Sequence, residues 1–579
     1  MSENRKSARR KSRRNRQPKS SQRAQVIACA AAFVLLLGLV GAQKLPGWRD
    51  AISNALFPAP TATPVATEAP VITTPPPTPV PTIAPSNAGM PWLEIVPGNS
   101  TLTKLDVKHK VISGGRQTNT YQKPAPLMMG SADSYAQLRG ITTFRGTQRR
   151  ANSAYGIIPS SPTKLHIEWA DNIGGKQGVS WTGQPIIVEW PKSTRLQMNI
   201  SAEKKQKDNL REIIIGALDG KVRFMDLDDG KQTRKNIDIG APIKASVAVD
   251  PRGYPILYLG QGADKVDGES VKSGMRIISL IDHKLLMFIN GKDQFSTRNS
   301  ALFNATPLID GRTDTLYQLG DNGLLYAIGL HTHYDEKSAD IKIQPVMDRF
   351  SHSSSLEKKP GMDGSLAIYH HYGFYADNAG LLICVDLNAL APVWAAAMGD
   401  TTVATPAIEQ NDRGLWLYTA NRLNLRGKAG DVQMRCIDAL TGRQVWKRES
   451  SVAGTDQSGA FASPALGEQK LNELVYFHIS KTGKGATLFA LNKQTGKPVW
   501  SEGMGAYGWS TPALVYDKSG NGYILIGSSN GTLRLMDGLT GETITSVQLE
   551  GSIEAAPAVY DDMLVIATRG GRIYGIRIE

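Results

Sequence analysis

The chain has 579 residues, 41% of them hydrophobic and 20% charged, so it is long enough to bury a large core. Its three cysteines include no adjacent pair and exclude a disulfide framework. The net charge of +14 is unevenly placed, because residues 1–23 hold ten Lys or Arg against one Glu and carry +9 of it. The rest of the chain carries about +5, so we expect no nucleic-acid partner.

The basic tail, residues 1–23, directly precedes an apolar segment, residues 24–43. Within this segment, residues 26–42 contain no charge or amide and correspond to ~25 Å of helix, against a hydrocarbon core of ~30 Å. Flanking basic side chains can close the difference by snorkelling. The pattern predicts a single-pass membrane anchor with a cytoplasmic N-terminus. A cleaved signal peptide is the alternative, because residues 40–42 resemble a small-residue cleavage site.

Residues 44–91 form a linker rich in proline and threonine, with eleven prolines between positions 58 and 91. Such a composition does not build a core and favours polyproline II. At ~3.1 Å per residue it can reach on the order of 100 Å. We interpret the segment as a spacer that lifts a folded domain away from a membrane.

Residues 92–160 are rich in turns and match no repeat. We expect them to pack across the following domain as an extension or plug. Four arginines lie close together near the end of this segment: Arg139, Arg145, Arg149 and Arg150. We expect these side chains to be solvated or paired with acidic loops, with binding of an anionic ligand as the alternative.

Residues 161–579 are built from repeats. Residues 436–446, CIDALTGRQVW, alternate as a strand does, turn at Thr441-Gly442 and end in a tryptophan. Residues 490–500 and 384–394 repeat this pattern, and a short apolar strand precedes each copy. Eight such strand starts lie 40 to 62 residues apart, at positions 185, 247, 307, 366, 406, 464, 512 and 557. This period is typical of the four-stranded blades of a β-propeller.

The repeat A-x-D-x-x-T-G-x-x-x-W resembles the tryptophan-docking repeat of the quinoprotein alcohol dehydrogenase-like β-propellers, whose repeats are of the pyrroloquinoline quinone (PQQ) type. The resemblance covers roughly residues 160–579. It implies an all-β fold, an eight-bladed propeller of four-stranded antiparallel blades. It also implies that four tryptophans dock between neighbouring blades: Trp169, Trp394, Trp446 and Trp500.

The last repeat, residues 558–579, ends without an outer strand of its own. Residues 164–173 resemble such a strand and include Trp169. We expect the start of the domain to complete the last blade, because this pairing leaves no sheet edge open.

The predicted functional site is the mouth of the propeller channel, where the strand entries of all blades converge. Residues three positions before the strand starts would form a ring there, and six of them offer binding chemistry: Lys244, Asn304, Asp363, Phe461, Trp509 and Glu554. The aromatic members can stack on a flat or apolar ligand, and the charged members can orient polar groups. The alternative is that Phe461 and Trp509 plug the channel.

The resemblance also raises the possibility of a quinone-dependent enzyme. Members that use PQQ hold it with a calcium ion coordinated by Glu and Asn, beside a catalytic Asp, a stacking Trp and, in most members, a disulfide between adjacent cysteines. Asn304 and Asp363 could imitate two of these residues, but Lys244 stands where an acidic ligand is required. We therefore expect neither PQQ nor calcium, no metal site and no catalytic residue.

Together these features predict a non-catalytic, membrane-anchored binding or scaffold protein. Its propeller would lie outside the cytoplasm, on a single-pass protein of the cell membrane, and its partner would belong to the cell envelope or cell wall. The alternatives are a quinoprotein-type oxidoreductase and a sensor of a cell-wall or carbohydrate ligand.

Overall fold

The structure is a computed structural model that describes residues 90–173, 183–425, 429–453, 458–481 and 485–579. The predicted basic tail, membrane anchor and nearly all of the predicted linker lie outside the described residues. No helix within the described ranges is both long and apolar enough to cross a membrane.

The described residues form eight antiparallel sheets, the blades of a propeller, which confirms the predicted fold class. We number the blades in chain order, each from its inner to its outer strand. Blades 1 and 2 consist of Ile186–Glu189, Arg211–Gly216, Lys221–Asp226 and Ile237–Asp238, then Ala248–Val249, Ile256–Gly260, Gly274–Ser279 and Leu285–Asn290. Blades 3 and 4 consist of Leu308–Asp310, Thr315–Leu319, Leu325–Gly329 and Val346–Ser353, then Ala367–Tyr369, Tyr372–Ala376, Leu381–Asp386 and Ala391–Ala397.

Blades 5 and 6 consist of Ala407–Asn411, Gly414–Ala420, Ala429–Asp438 and Gln444–Ala453, then Ala465–Leu466, Leu474–Ser480, Ala486–Asn492 and Pro498–Gly503. Blades 7 and 8 consist of Ala513–Tyr516, Gly522–Gly527, Thr532–Asp537 and Thr543–Gln548, then Ala558–Tyr560, Met563–Ala567, Arg572–Ile578 and Leu165–Asn172. Two further hairpins pair Lys265–Val266 with Glu269–Ser270 and His333–Asp335 with Asp340–Lys342. The short helices are Asn99–Lys104, Ala132–Ser134, Lys192–Gln197, Ala202–Gln206 and Gln469–Leu471.

Four strands that precede the repeats add to complete blades. The hairpin of Lys108–Ser113 and Arg116–Thr118 extends the outer edge of blade 3. Arg139–Ile141 pairs with the inner strand of blade 1, and Ala154–Tyr155 pairs with the inner strand of blade 8. The segment before the repeats therefore reaches both the outside and the centre of the propeller.

The hydrophobic core is divided among the blade interfaces. Eight clusters of buried apolar side chains each combine residues from two neighbouring blades, and blade 8 shares one with blade 1. Middle strands such as Leu381–Asp386 are buried on both faces because a blade packs between two others. This explains why they are continuous apolar runs, whereas the outer strand Thr543–Gln548 is largely exposed.

Tryptophans of the repeat pattern lie between neighbouring blades. Each indole Nε1–H donates a hydrogen bond to a backbone carbonyl of the next blade: Trp169 to Leu227 (2.9 Å), Trp394 to Ala439 (3.0 Å), Trp446 to Lys493 (2.7 Å) and Trp500 to Gly538 (3.1 Å). Each ring also covers a turn glycine of that blade. At Gly496, φ is +65° and a Cβ would stand 2.6 Å from the ring of Trp446, so only glycine fits.

Hydroxyl side chains join the inner strands of successive blades. The residue just before a strand start donates its backbone N–H to the hydroxyl of the equivalent residue in the next blade: Thr306 to Ser365 (2.9 Å), Ser365 to Thr405 (2.9 Å), Thr405 to Ser463 (3.1 Å) and Ser463 to Thr511 (3.1 Å). These five Ser and Thr residues, four of which precede a proline, thus link successive blades at their strand starts.

The ring of blades is closed by the first strand of the domain. Leu165–Asn172 is the outer strand of blade 8 and pairs antiparallel with Arg572–Ile578, with Leu165 opposite Ile578 and Asn172 opposite Arg572. This confirms the predicted closure. The first and last strands of the propeller domain thus share one sheet, although they lie about 400 residues apart in the sequence. The last blade is complete only when Leu165–Asn172 is present.

Deleting Leu165–Asn172 should abolish the single cooperative unfolding transition of the propeller, because it exposes the edge of Arg572–Ile578 and opens the ring. Calorimetry of the full chain would measure this. The matched control deletes residues 108–118, which extend a blade that already has four strands. It removes the buried Val111 and should lower the melting temperature, but it should leave one transition. A soluble chain without Leu165–Asn172 that still unfolds in one unshifted transition would contradict the closure.

Trp446→Ala should lower the free energy of unfolding by ~3–5 kcal/mol, the range for truncating a buried aromatic side chain. Trp446 is 8% exposed, and the substitution removes both its hydrogen bond to Lys493 and its contact with Gly496. The neighbouring Val445→Ala is the control, because that side chain is 45% exposed and should change stability little. Equal losses for the two variants, measured by denaturant unfolding, would refute the docking role.

Candidate functional site

The open inner edges of all eight blades meet at the propeller axis, and one segment fills that space. We call residues 139–155 the plug. Its backbone or side chains hydrogen-bond the inner strand or strand entry of every blade, through pairs that include Thr142 O with Val249 N (3.0 Å), Thr143 Oγ1 with Pro307 O (3.1 Å), Gln148 O with Ile368 N (2.8 Å) and Arg149 O with Ile408 N (3.0 Å). Residues 151–154 continue the series: Ala151 with Leu466, Asn152 with Leu514, Ser153 and Ala154 with Val559.

The predicted ring lies on the strand-entry side of the plug. In blades 2 and 4 to 8 the bonds of the plug reach the residue five positions after the member of the predicted ring, for example Ile368 after Asp363 and Leu514 after Trp509. We call the region around the ring, on this side of the plug, the funnel mouth.

Two arginines hold the plug together from inside. Arg145 and Arg150 are fully buried with positive φ values of 56° and 57°. The guanidinium of Arg150 donates to the carbonyl oxygens of Leu366 (2.9 Å) and Phe144 (2.7 Å) and to the hydroxyl of Thr143 (2.8 Å). Arg145 donates to Arg150 O (2.7 Å) and Ala151 O. Burial lowers the pKa of Arg145 to about 9 and that of Arg150 to about 10.

The expectation that the four plug arginines are solvated or paired with acids is wrong for three of them. Arg145 and Arg150 bond plug and blade oxygens instead of carboxylates, because the open strand edges supply carbonyls at the axis. Arg149 is also buried and lies 5.6 Å above the ring of Tyr369. Arg139 alone pairs with an acid, Glu189, at 3.3 Å. The buried arginines therefore stabilise the plug, a role that the net charge of the segment does not indicate.

The funnel mouth has an aromatic half, formed by blades 6 and 7. Phe461 and Trp509 stack with ring centroids 4.7 Å apart and planes at 29°, and Tyr507 lies 5.6 Å from Trp509. The guanidinium of Arg422 lies 5.3 Å from the centre of the Phe461 ring. Trp509 is only 4% exposed, whereas Phe461 is half-buried. Among these stacked rings, therefore, Phe461 offers more surface to a ligand than Trp509.

The opposite half of the mouth is polar. Asn304 donates its side-chain amide to Asp363 at 3.0 Å, and both are half-buried. Asp321 accepts a hydrogen bond from Ser300 (2.6 Å) and pairs with Arg298 (3.5 Å). Burial raises the pKa of Asp321, and the nearby charge of Asp363 adds to the rise. Polar groups of blades 2 to 4 therefore already contact one another across the blade boundaries.

The remaining predicted ring members occupy two further positions. Lys244 is half-buried and lies against Gly262, where a Cβ would stand 2.6 Å from the lysine Cγ. Glu554 is 2% exposed, accepts a hydrogen bond from Tyr507 (2.8 Å) and pairs with Arg569 (3.2 Å). Asn304 with Asp363 and Phe461 with Trp509 are the ring pairs in direct contact; Lys244 and Glu554 contact residues outside the ring.

Four residues of the mouth escaped the sequence argument: Asp321, Arg422, Tyr507 and Arg569. Asp321, Arg422 and Arg569 lie in the loop between the second and third strands of their blades. Tyr507 alone is near a strand entry in the sequence, two residues before Trp509. Only the packed loops bring them to the ring.

A protein-family model and several solved structures are similar to the repeats of this chain. Residues 349–507 and 484–579 match the family model described as outer membrane protein assembly factor BamB. A search of curated proteins finds no match. Quinohemoprotein alcohol dehydrogenase ADHIIG from Pseudomonas putida HK5 superposes with a TM-score of 0.52 at 10% identity, covering 76% of this chain and 80% of that one.

Two other solved structures are less similar in superposition. BamB from Moraxella catarrhalis has a TM-score of 0.36 at 13% identity, and the match covers 72% of this chain and 100% of that one. The computationally designed protein Ika8 has a TM-score of 0.43 at 13% identity and covers 70% of this chain and 98% of that one. At 10% identity, the likeness to the alcohol dehydrogenase shows a shared fold and does not transfer an activity.

Arg150→Leu should destabilise the propeller by at least about 2 kcal/mol, because it leaves buried carbonyl oxygens of Leu366 and Phe144 without their donor, at ~1–3 kcal/mol each. Arg139→Gln is the control, since its side chain is 39% exposed and its ion pair should contribute less than ~1 kcal/mol. Thermal unfolding of both variants compares them. A smaller loss for Arg150→Leu than for Arg139→Gln would contradict the structural role of the buried guanidinium.

Proposed function

We propose that this chain, which belongs to the quinoprotein alcohol dehydrogenase-like superfamily of β-propellers with PQQ-like repeats, is a non-catalytic binding or scaffold protein. The proposal rests on the hydrogen bonds and ion pairs of the acidic side chains at the funnel mouth. Glu554, Asp363 and Asp321 all contact polar or basic neighbours. Groups fixed in this way suit a preformed recognition surface better than a general base or nucleophile, which must stay available to a substrate.

The donor set at the mouth does not fit a quinone held by calcium. Asn304 and Asp363 are turned toward each other at 3.0 Å, and Lys244 stands at the equivalent position where an acidic ligand would be required. Trp509 is 4% exposed and stacks on Phe461, which leaves little of its face for a stacked cofactor. These features support a protein that uses neither PQQ nor calcium, although its fold is that of the dehydrogenases.

The proposed location follows from the part of the chain before the propeller. We place residues 24–43 in a cell membrane as a single anchor, residues 1–23 in the cytoplasm and the propeller outside it. The charge of +9 on residues 1–23 beside an uncharged apolar run supports this orientation. The proline-rich linker would then set the distance between membrane and propeller.

The proposed partner is a protein of the cell envelope. The matching family model carries the description of an outer membrane protein assembly factor, and this supports a protein partner over a small metabolite. The half-exposed Phe461 beside Arg422 is the kind of aromatic and arginine pair that anchors protein interfaces. A carbohydrate of the cell wall is the second candidate, because the same aromatic face can stack on a sugar ring.

Site-specific photocrosslinking in cells would test this proposal with the full chain. A crosslinker at position 461 should capture a defined envelope protein, whereas the same group at position 539, an exposed leucine on the outer side of blade 7, should not. Glycan binding that is lost in Phe461→Ala would favour the carbohydrate instead. A melting temperature raised by calcium and PQQ together would overturn the non-catalytic function.

A further inference from the structure

A cavity of about 450 Å³ lies against the plug, between it and blades 6 and 7. Its volume is within the range of small-molecule sites. The wall contains residues of the plug and its approach and of the loop after the inner strand of blade 6, among them Asp133, Gln137, Arg139, Tyr155, Glu468 and Gln469. The cavity is separate from the funnel mouth, because the plug lies between the two.

Two carboxyl groups face this cavity without a partner. Within the described ranges, no side chain or backbone N–H hydrogen-bonds or pairs with the carboxylate of Glu468 or with that of Asp133. The backbone N–H of Glu468 donates to the hydroxyl of Tyr516 (2.7 Å), which fixes the residue in place. Glu468 is half-buried and Asp133 is exposed, so both carboxylates are open to the cavity. This differs from the funnel mouth, where the acids are paired.

The basic groups nearby are already engaged. Arg139 pairs with Glu189 at 3.3 Å, and Lys493 contacts Glu409 and donates to the carbonyl of Gly467 at 2.7 Å. Arg145 lies beneath the cavity but is fully buried and bonded to carbonyl oxygens. Among the charged groups of the wall, the carboxylates of Glu468 and Asp133 are therefore the ones without a hydrogen-bond partner in the described residues.

We propose that this cavity binds a small organic cation through a primary ammonium group that contacts the carboxylates of Glu468 and Asp133. An ammonium group has three donors and one positive charge, which match two acceptor groups that lack donors. The body of the ligand would lie against Tyr155 and the side-chain amides of Gln137 and Gln469. A bare metal ion fits less well, because the described residues contain no group of three or more acidic, histidine or cysteine ligands.

The ionisation of Glu468 gives the site a pH dependence. Burial raises the pKa of Glu468 to about 7, the charges of Asp133 and Glu409 add to the rise, and Lys493 opposes it. The ammonium group of a lysine side chain keeps its charge well above this pH, so with a lysine probe the titrating partner is the carboxylate. Binding should strengthen as the pH rises from 6 to 8, by roughly tenfold, as the ionised fraction of Glu468 increases.

Titration calorimetry with the full chain at low ionic strength would test the site with two matched pairs of probes. Nα-acetyl-lysine amide and glucosamine each carry a primary amine, and their N-acetylated forms lack the charge. We expect at least one amine to bind at pH 7, where both amines are largely protonated, and its acetylated form to bind on the order of tenfold more weakly. The probe that binds distinguishes a lysine side chain from an amino sugar as the source of the ammonium group.

Variants connect the binding to the two carboxyl groups. Glu468→Gln and Asp133→Asn should each weaken binding by roughly tenfold, and Glu468→Gln should also remove the pH dependence. Glu473→Gln is the control, because this acid follows the same loop but pairs with Arg413 (3.4 Å) outside the cavity. Binding by neither amine, equal binding of the acetylated probes, or unchanged affinity in both cavity variants would overturn the proposal. None of these outcomes bears on the funnel mouth.

Discussion

Eight strands bring their inner edges to one axis, and the unpaired backbone groups of those edges must be satisfied there. The plug meets this requirement, since residues 139–155 supply oxygens and N–H groups to all eight blades. Because the carbonyls at the axis need donors, buried guanidinium groups fit where carboxylates would not. Arg145 and Arg150 thus contribute to the centre of the fold even though burial disfavours their charge.

Two kinds of contact join neighbouring blades, one near the propeller axis and one farther from it. Near the axis, hydroxyls of Ser and Thr accept backbone N–H groups of the preceding blade. Farther out, tryptophans such as Trp446 donate to the next blade and cover its turn glycine. Each apolar cluster also belongs to two blades, so no blade has a core of its own. Stability is therefore shared around the ring, and closure by Leu165–Asn172 matters to every interface.

The plug also divides the axis into two chemically different spaces. At the funnel mouth the acids are paired and an aromatic face is half-exposed, which suits recognition of a partner surface. On the other side, Glu468 and Asp133 face a cavity without partners, which suits a small cation. The plug lies between these two sites and is hydrogen-bonded to every blade. We therefore expect binding at one site to leave the other unchanged.

The sequence alone determined the class of fold, the number of blades, the docking pattern and the closing strand. These features repeat, and each follows from local rules of strand alternation, turn glycines and small residues before prolines. Ring members such as Asn304 and Phe461 were also placed by register. Tertiary structure alone decided what the non-repeating residues do. Arg145 is buried rather than solvated because all blades converge on it, and Glu468 and Asp133, 335 positions apart, share one cavity only after the ring closes.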